Sequence, residues 1–216
     1  MAAFSSNFSI LQESILLKSY HKDIGSNCRC GDNPALFRCA GLESCFSGRL
    51  HCGSCIVQQH KWLPFHRIEQ WNGKTFIGHS LKELGYLLYL GHCGEKCVNL
   101  SETTLPLPMV IIHTNGLHRI LVHFCYCSDA PLKPIQLCNE QLFPATMDQP
   151  HTAFTFSVLD SCHIHLLSSK KPMNDFYDAL VKMTSPAFPQ DVPVCHKLSV
   201  PCSQLYSYVP RADMWR

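Results

Sequence analysis

The chain has 216 residues, 46% of them hydrophobic, enough for one real core or two small ones, and its net charge is only +2. So small a charge gives only a weak field for phosphate binding, although Lys61, Arg67 and Lys74 could still cluster into a small basic patch, and no stretch approaches the run of about eighteen apolar residues that marks a membrane span. Fourteen cysteines is a high and even count, so a secreted disulfide framework is the first alternative to weigh. Against it, Met1 to Tyr20 lacks the basic start, continuous apolar stretch and small-residue cleavage site of a secretory leader. A reducing, intracellular compartment is therefore expected, in which the Asn-x-Ser sequons at Asn7 and Asn99 carry no meaning.

Residues 1–27 mix apolar and polar side chains, and Ile10-Leu11 with Ile15-Leu16-Leu17 stand at helical spacing, which predicts a helical extension. Residues 28–74 hold the densest chemistry. Six cysteines and two histidines follow one another as four pairs: Cys28/Cys30, Cys39/Cys45, Cys52/Cys55 and His60/His66. Structural zinc takes four thiolate or imidazole ligands, and close pairs on short loops supply them two at a time, so eight ligands suffice for two ions. Cys52-Gly-Ser-Cys55 is the sharpest pair, because a two-residue spacer lets one tight turn aim both sulfurs at one ion. A Cys-x-x-Cys can also be a redox pair. A thioredoxin-like motif would sit beside a βαβ pattern, however, and here the flanks are short, turn-rich and full of further ligands.

Spacing also argues how the pairs divide. One site built from Cys52, Cys55, His60 and His66 would leave four residues between the CxxC and the first histidine, against about twelve in a ββα finger. Interleaving is easier: Cys28, Cys30, Cys52 and Cys55 hold one ion, and Cys39, Cys45, His60 and His66 the other. This arrangement predicts a hairpin of 35–39 with 49–52 and a short helix over 53–61 that delivers His60, with Pro64 bending the chain before His66.

Residues 75–184 read as a β-rich unit closed by helices. Tyr86 to Leu90, Met109 to His113 and Leu117 to Cys127 are strand-like, with Pro106 and Pro108 as interruptions and Asn115-Gly116 as a hairpin turn. In an extended strand, the one-residue spacer of Cys125-Tyr126-Cys127 puts both sulfurs on the same face. Brought beside His92 and Cys97, they make a third candidate set of four ligands; the bland alternative is that these are buried cysteines. From Thr152 a helical pattern places Phe154, Val158, Leu159, Leu166 and Leu167, then Phe176, Leu180 and Val181, in a core.

Cys138, Cys162, Cys195 and Cys202 have no spacing partner and read as core or surface thiols, with Cys93 a spare beside His92. His163 and His165 stand two apart, which on a helix separates their faces. His113, His118 and His123 read as hairpin-surface or core-edge histidines. There is no G-x-S-x-G, Walker loop or H-E-x-x-H, so no enzymatic activity is expected. Residues 185–216 contain five of the fourteen prolines and read as a loose tail.

The run Leu36-Phe37-Arg38-Cys39, His51-Cys52-Gly53-Ser54-Cys55, His60 and Pro64 through Gly73 resembles the CxC-type cysteine-cluster domain that accompanies KDZ transposases of fungal genomes. So do Ser80 through Gly85, Leu90-Gly91-His92, Asn115 through His118, Phe124 through Cys127, and Phe143-Pro144-Ala145-Thr146 through Thr152-Ala153-Phe154-Thr155-Phe156, ending near Asp175-Phe176-Tyr177. The resemblance covers roughly residues 28 to 185. It implies a zinc-binding region, similar in ligand order to B-box and ZZ-type modules, that lies upstream of a transposase catalytic domain, and it is the main support for the third zinc. The chain departs from the pattern where one residue separates Cys28 from Cys30 and five separate Cys39 from Cys45. Residues 40–44 thus read as a small insertion, and Cys30 and Cys45 as the least secure ligands.

The expectation is an α+β protein of small zinc-stabilised units, with Zn2+ as cofactor, no small-molecule substrate and no membrane contact. An RNase H-like catalytic domain has no room in this length, so a truncated remnant of transposon origin is expected. The resemblance implies DNA as partner and a nuclear location. Charge argues the other way. Between Cys28 and Lys74 stand six Lys/Arg and three Asp/Glu, and six thiolates around two divalent ions remove two more charges, leaving about +1. A B-box-like module for protein interaction or self-association is the alternative.

Overall fold

The computed structural model describes residues 7–17, 22–40, 45, 49–169, 172–186 and 189–192. Most of the tail expected over 185–216, with Cys195 and Cys202, and the insertion at 41–44 lie outside these described residues. The chain divides into two compact units, Met1–Tyr86 and Leu87–Arg216, and both combine helices with sheet.

In the first unit, helix α1 (Phe8–Leu17) occupies the predicted helical extension, with Phe8 and Ile10 more than half exposed. Strand β1 (Phe37–Cys39), helix α2 (Gly53–Gln59), β2 (Ile68–Trp71) and β3 (Phe76–His79) follow, and the three strands form one antiparallel sheet in sequence order. Arg38 stands opposite Glu69 and donates from Nε to its carboxylate at 2.7 Å. The β2–β3 turn is closed by the Asn72 side chain, whose Oδ1 accepts the N–H groups of Lys74 and Thr75 at 2.9 and 2.8 Å. This Asx capping is what makes Asn72-Gly73 a turn.

Two expectations change here. The partner of β1 is β2, and the stretch 49–52 contributes only an isolated bridge, with Phe37 N donating to His51 O at 2.9 Å and His51 N to Phe37 O at 2.8 Å. The chain cannot continue as a strand, because Cys52 is already the N-cap of α2. The unit also runs past residue 74: β3 pairs with all four residues of β2, and Leu81 and Tyr86 are buried.

Among the described residues of this unit, buried apolar side chains are few. Ile56, Ile68 and Phe37 are buried, but a separate cluster consists of Cys28, Ala35 and Cys52 with Leu50 and Cys55 against it. Cysteines stand where a larger domain would place leucines and valines, and a core so small needs a staple.

The second unit is built on a five-stranded mixed sheet of order β4-β6-β5-β8-β7, formed by β4 (Leu87–Tyr89), β5 (Leu107–His113), β6 (Gly116–His123), β7 (Leu142–Pro144) and β8 (Thr152–Thr155). β4 runs parallel to β6, and β5 parallel to β8; β5–β6 and β7–β8 are antiparallel. The β5–β6 hairpin closes on the pair His113 and Gly116, so the turn residues are Thr114-Asn115, one position earlier than the sequence reading placed them. The positive φ falls on Gly116, at +121°.

Helix α3 (Lys133–Asn139) lies between β6 and β7, while α4 (Phe156–Ser169) and α5 (Met173–Thr184) follow β8. Thr152–Thr155 is strand where a helical pattern was expected to begin. Its alternating burial, with Ala153 and Thr155 inward, suits a strand between β5 and β7. The Thr155 hydroxyl then accepts the Val158 N–H at 3.2 Å, as an N-cap side chain does, and the helix begins. Ile112, Leu117, Val158, Tyr177, Leu180 and Val192 form the core between sheet and helices. The Leu117 N–H donates to Thr184 Oγ1 at 2.8 Å, tying the end of α5 to the start of β6. Leu167, expected in the core, is 67% exposed. No described helix is long and apolar enough to cross a membrane.

Candidate metal centres

Among the described residues, three groups of side chains bring four ligand atoms each to within 4.8 Å of one another: Cys28, Cys30, Cys52 and Cys55; Cys39, Cys45, His60 and His66; and His92, Cys97, Cys125 and Cys127. The first two are interleaved, first pair with third and second with fourth. None of the described cysteines is in a disulfide.

The first group is two knuckles facing each other. Cys28 opens a tight turn in which Gly31 N donates to Cys28 O at 2.8 Å, and an isolated bridge between Asn27 and Pro34 closes its base. Cys52 and Cys55 bracket the first turn of α2, where the Ile56 N–H bonds Cys52 O at 3.0 Å. Cys30 Sγ lies 3.6 Å from Cys52 Sγ, so the one-residue spacer to Cys28 does not keep Cys30 out. In the second group, Cys39 ends β1, and His60 caps the C-terminus of α2. His60 is fully buried, and its Nδ1–H donates to Ile56 O at 2.8 Å, which leaves Nε2 facing Cys45 Sγ at 3.5 Å. A backbone carbonyl on one ring nitrogen is how ligand histidines are commonly oriented and held in one tautomer. His66 Nδ1 stands 3.4 Å from Cys39 Sγ and 3.7 Å from Cys45 Sγ.

The third group lies in the second unit, beyond the ends of the parallel strands β4 and β6. His92 Nε2 is 3.2 Å from Cys125 Sγ and 3.4 Å from Cys127 Sγ, and Cys97 Sγ is 3.8 Å from both of those sulfurs. Asn99 Nδ2 donates to Cys127 Sγ at 3.4 Å.

These separations have a meaning in coordination geometry. With metal–sulfur bonds of about 2.3 Å and metal–nitrogen bonds of about 2.05 Å, a tetrahedral zinc site has S···S edges of about 3.8 Å and S···N edges of about 3.6 Å. The observed S···S distances of 3.6 to 3.8 Å and S···N distances of 3.2 to 3.7 Å cluster on those edges. They lie far from the 2.05 Å of a disulfide.

The thiols are electrostatically unlike one another. The Ser54 hydroxyl, donating to Cys52 Sγ, helps bring that thiol down to about 6, whereas hydrogen bonding with Cys52 and then Cys30 pushes Cys55 up to about 12. In the third group the Tyr126 backbone N–H, followed by Asn99, brings Cys97 to about 6, and Cys125 followed by burial pushes Cys127 up to about 11. Sulfurs this close cannot all ionise unless a cation sits among them. Burial lowers the pKa of His60, which keeps its ring neutral and able to ligate.

Cys93 is exposed and belongs to no group, and Cys138 and Cys162 stand apart from all three. His113, His118 and His123 also lie outside them; His123 stacks on Tyr89 instead. Sequence reasoning missed Ser54 and Asn99, both polar and each within two residues of a ligand cysteine, which is the only signal that could have found them.

No curated protein and no solved structure matches this chain. Residues 81–187 match the family described as CxC2-like cysteine cluster associated with KDZ transposases. The match begins downstream of the first two ligand groups, which the likeness read from the sequence had included, and spans the third. The matched residues carry His92, Cys97, Cys125 and Cys127, so over 81–187 the chain is similar to the CxC2-like cysteine clusters associated with KDZ transposases.

Proposed function

We propose that this protein is a structural zinc protein holding three Zn2+ ions, and that it serves as a nucleic-acid-binding module of transposase origin. The observation that carries the metal reading is that each group supplies four Cys or His atoms at tetrahedral spacing. Thiolate and imidazole ligands in that geometry favour zinc. Four protein ligands leave no position for water or substrate, so the ions staple the chain and activate nothing, and no enzymatic step is assigned to these units.

The nucleic-acid role is supported by the association of the family with transposases. Lys61, with its Nζ 5.0 Å from the ring centre of the exposed Trp62, offers one point where a cation and an aromatic face stand together. A nuclear location follows from this role. The second reading is a protein-interaction or self-association module of B-box or ZZ-like type, favoured by the interleaved ligand pairs and by the near-neutral charge of residues 28–74.

The test is elemental mass spectrometry on full-length chain purified under reducing conditions, then binding of the same sample to random duplex DNA across salt. Three zincs per chain are expected, with affinity for DNA falling as salt rises. Fewer than one zinc would remove the metal reading. Full zinc with no DNA binding at low salt would turn the assignment to protein interaction.

A further inference from the structure

Cys125 and Cys127 both contribute to the third group, yet the segment that carries them lies past the end of the sheet. β6 ends at His123. Pairing with β4 stops at Tyr89 opposite His123, and pairing with β5 begins only at Leu107 opposite Val122. Neither neighbouring strand reaches Cys125. Its backbone N–H and C=O, half-buried, need partners from elsewhere.

One side chain supplies both. Gln136, on α3 and only 5% exposed, accepts the Cys125 N–H on Oε1 at 2.8 Å and donates from Nε2 to Cys125 O at 3.1 Å. The second Nε2 hydrogen goes to Pro131 O at 2.9 Å. Both amide donors are therefore used and the acceptor is filled, as burial of an amide requires. The donor–acceptor exchange with Cys125 is the one a residue of an antiparallel neighbouring strand would make.

The geometry points to Gln136 as a positioning residue for the third metal centre: its amide replaces the missing strand partner and holds Cys125 extended. In extended backbone the one-residue spacer puts the Cys125 and Cys127 sulfurs on one side, where each meets Cys97 at 3.8 Å. α3 is held in turn by Leu137, which is fully buried, so the clamp has a fixed base. No other side chain type does this: glutamate loses both donors, methionine all three bonds, and asparagine one methylene of reach.

The inference rests on the metal reading of that group, and the experiment separates the two. The full chain, Gln136→Met, Gln136→Glu and Ile112→Ala are loaded with zinc and titrated with a chromophoric chelator, and the cobalt(II) absorption spectrum of each is recorded. Ile112→Ala weakens the core of the same unit without touching α3 or Cys125, and controls for lost stability. Gln136→Met is expected to weaken one of the three ions by roughly 10- to 100-fold, the size of effect seen when groups that orient a ligand are removed. It should change that ion's share of the cobalt spectrum and leave the other two unchanged; Gln136→Glu, which keeps only the acceptor, should fall between. Ile112→Ala should lower thermal stability with no selective loss. The clamp is overturned if three ions bind to Gln136→Met as they do to the unaltered chain, or if Ile112→Ala loosens the same ion equally. Should Gln136→Met not fold, Gln136→Glu is judged by the same two outcomes. An unaltered chain that binds only the ions of the first unit overturns the metal reading of this group, and the clamp with it.

Discussion

Gly91 offers the sharpest single perturbation of the third centre. It sits at φ +78°, ψ −178°, immediately before the ligand His92. That corner of conformational space is almost closed to residues with a Cβ, and occupying it costs of order 1–3 kcal/mol. A Cβ built there would meet Cys125 Cβ at 3.4 Å, an ordinary contact, so the penalty of Gly91→Ala is conformational and not a clash. The chain can relieve it only by rotating residue 91 away, which carries His92 from its 3.2 and 3.4 Å approaches to Cys125 and Cys127. The strain should therefore surface as metal affinity. At about 1.4 kcal/mol per decade, 1–3 kcal/mol becomes about 5- to 150-fold weaker binding of one ion. Chelator competition under reducing conditions measures this, with Gly78→Ala as the control, because Gly78 has no positive φ and no atom within 4 Å of an added Cβ. If Gly91→Ala kept the affinity of the unaltered chain for every ion, the claim that this glycine sets the placement of His92 would fail.

Cys52→Ala or Cys55→Ala should unfold the first unit, because metal binding is folding energy when the core is this small; native chemical-shift dispersion surviving in an NMR spectrum would refute it. Adding zinc to reduced, metal-free chain near pH 7 should release protons into a weakly buffered indicator. Cys55, at about 12, and Cys127, at about 11, hold theirs until a cation displaces them, while Cys52 and Cys97, at about 6, are already mostly ionised. The sign follows: acid favours the metal-free form, so zinc retention should fall as pH drops, and uptake without proton release would contradict it. Ile112→Ala, in the core of the second unit, should cost about 2–5 kcal/mol in denaturant unfolding with no change in zinc count.

How much of this was legible follows from how far apart in the chain the determinants lie. The groupings of the first unit could be read from spacing, because ligands within 39 residues leave few ways to share two ions. The short helix delivering His60 was equally local, since it needs only Cys52, Cys55 and the helical repeat to His60. The sheet partners were not legible: the choice of β2 over 49–52 as partner to β1 depends on Cys52 turning into α2, a tertiary demand with no mark in the strand itself. Thr152–Thr155 misled for a related reason. Phe154, Val158 and Leu159 fit a helical repeat by count, and only the parallel pairing of β8 to β5 makes the first of them a strand residue.

The third centre shows where local reading stops. His92 and Cys97 follow β4, Cys125 and Cys127 follow β6, and two strands that lie far apart in sequence must run parallel side by side before the four meet. Parallel pairing cannot be made by a tight hairpin, and here β5 and its turn lie in the gap, so the contact is non-local and entropically expensive to close. A metal that bridges the ends of just those two strands acts where the sheet is least able to hold itself, since β4 is three residues long and has β6 as its one sheet partner. Zinc in that group would thus stabilise the β4 edge far more than the β7 edge. Hydrogen exchange with and without metal should show it: amides of β4 should lose protection on chelation while those of β8, paired on both sides, keep theirs. Equal loss across the whole sheet would mean that the ion holds the unit globally and that the edge argument is wrong.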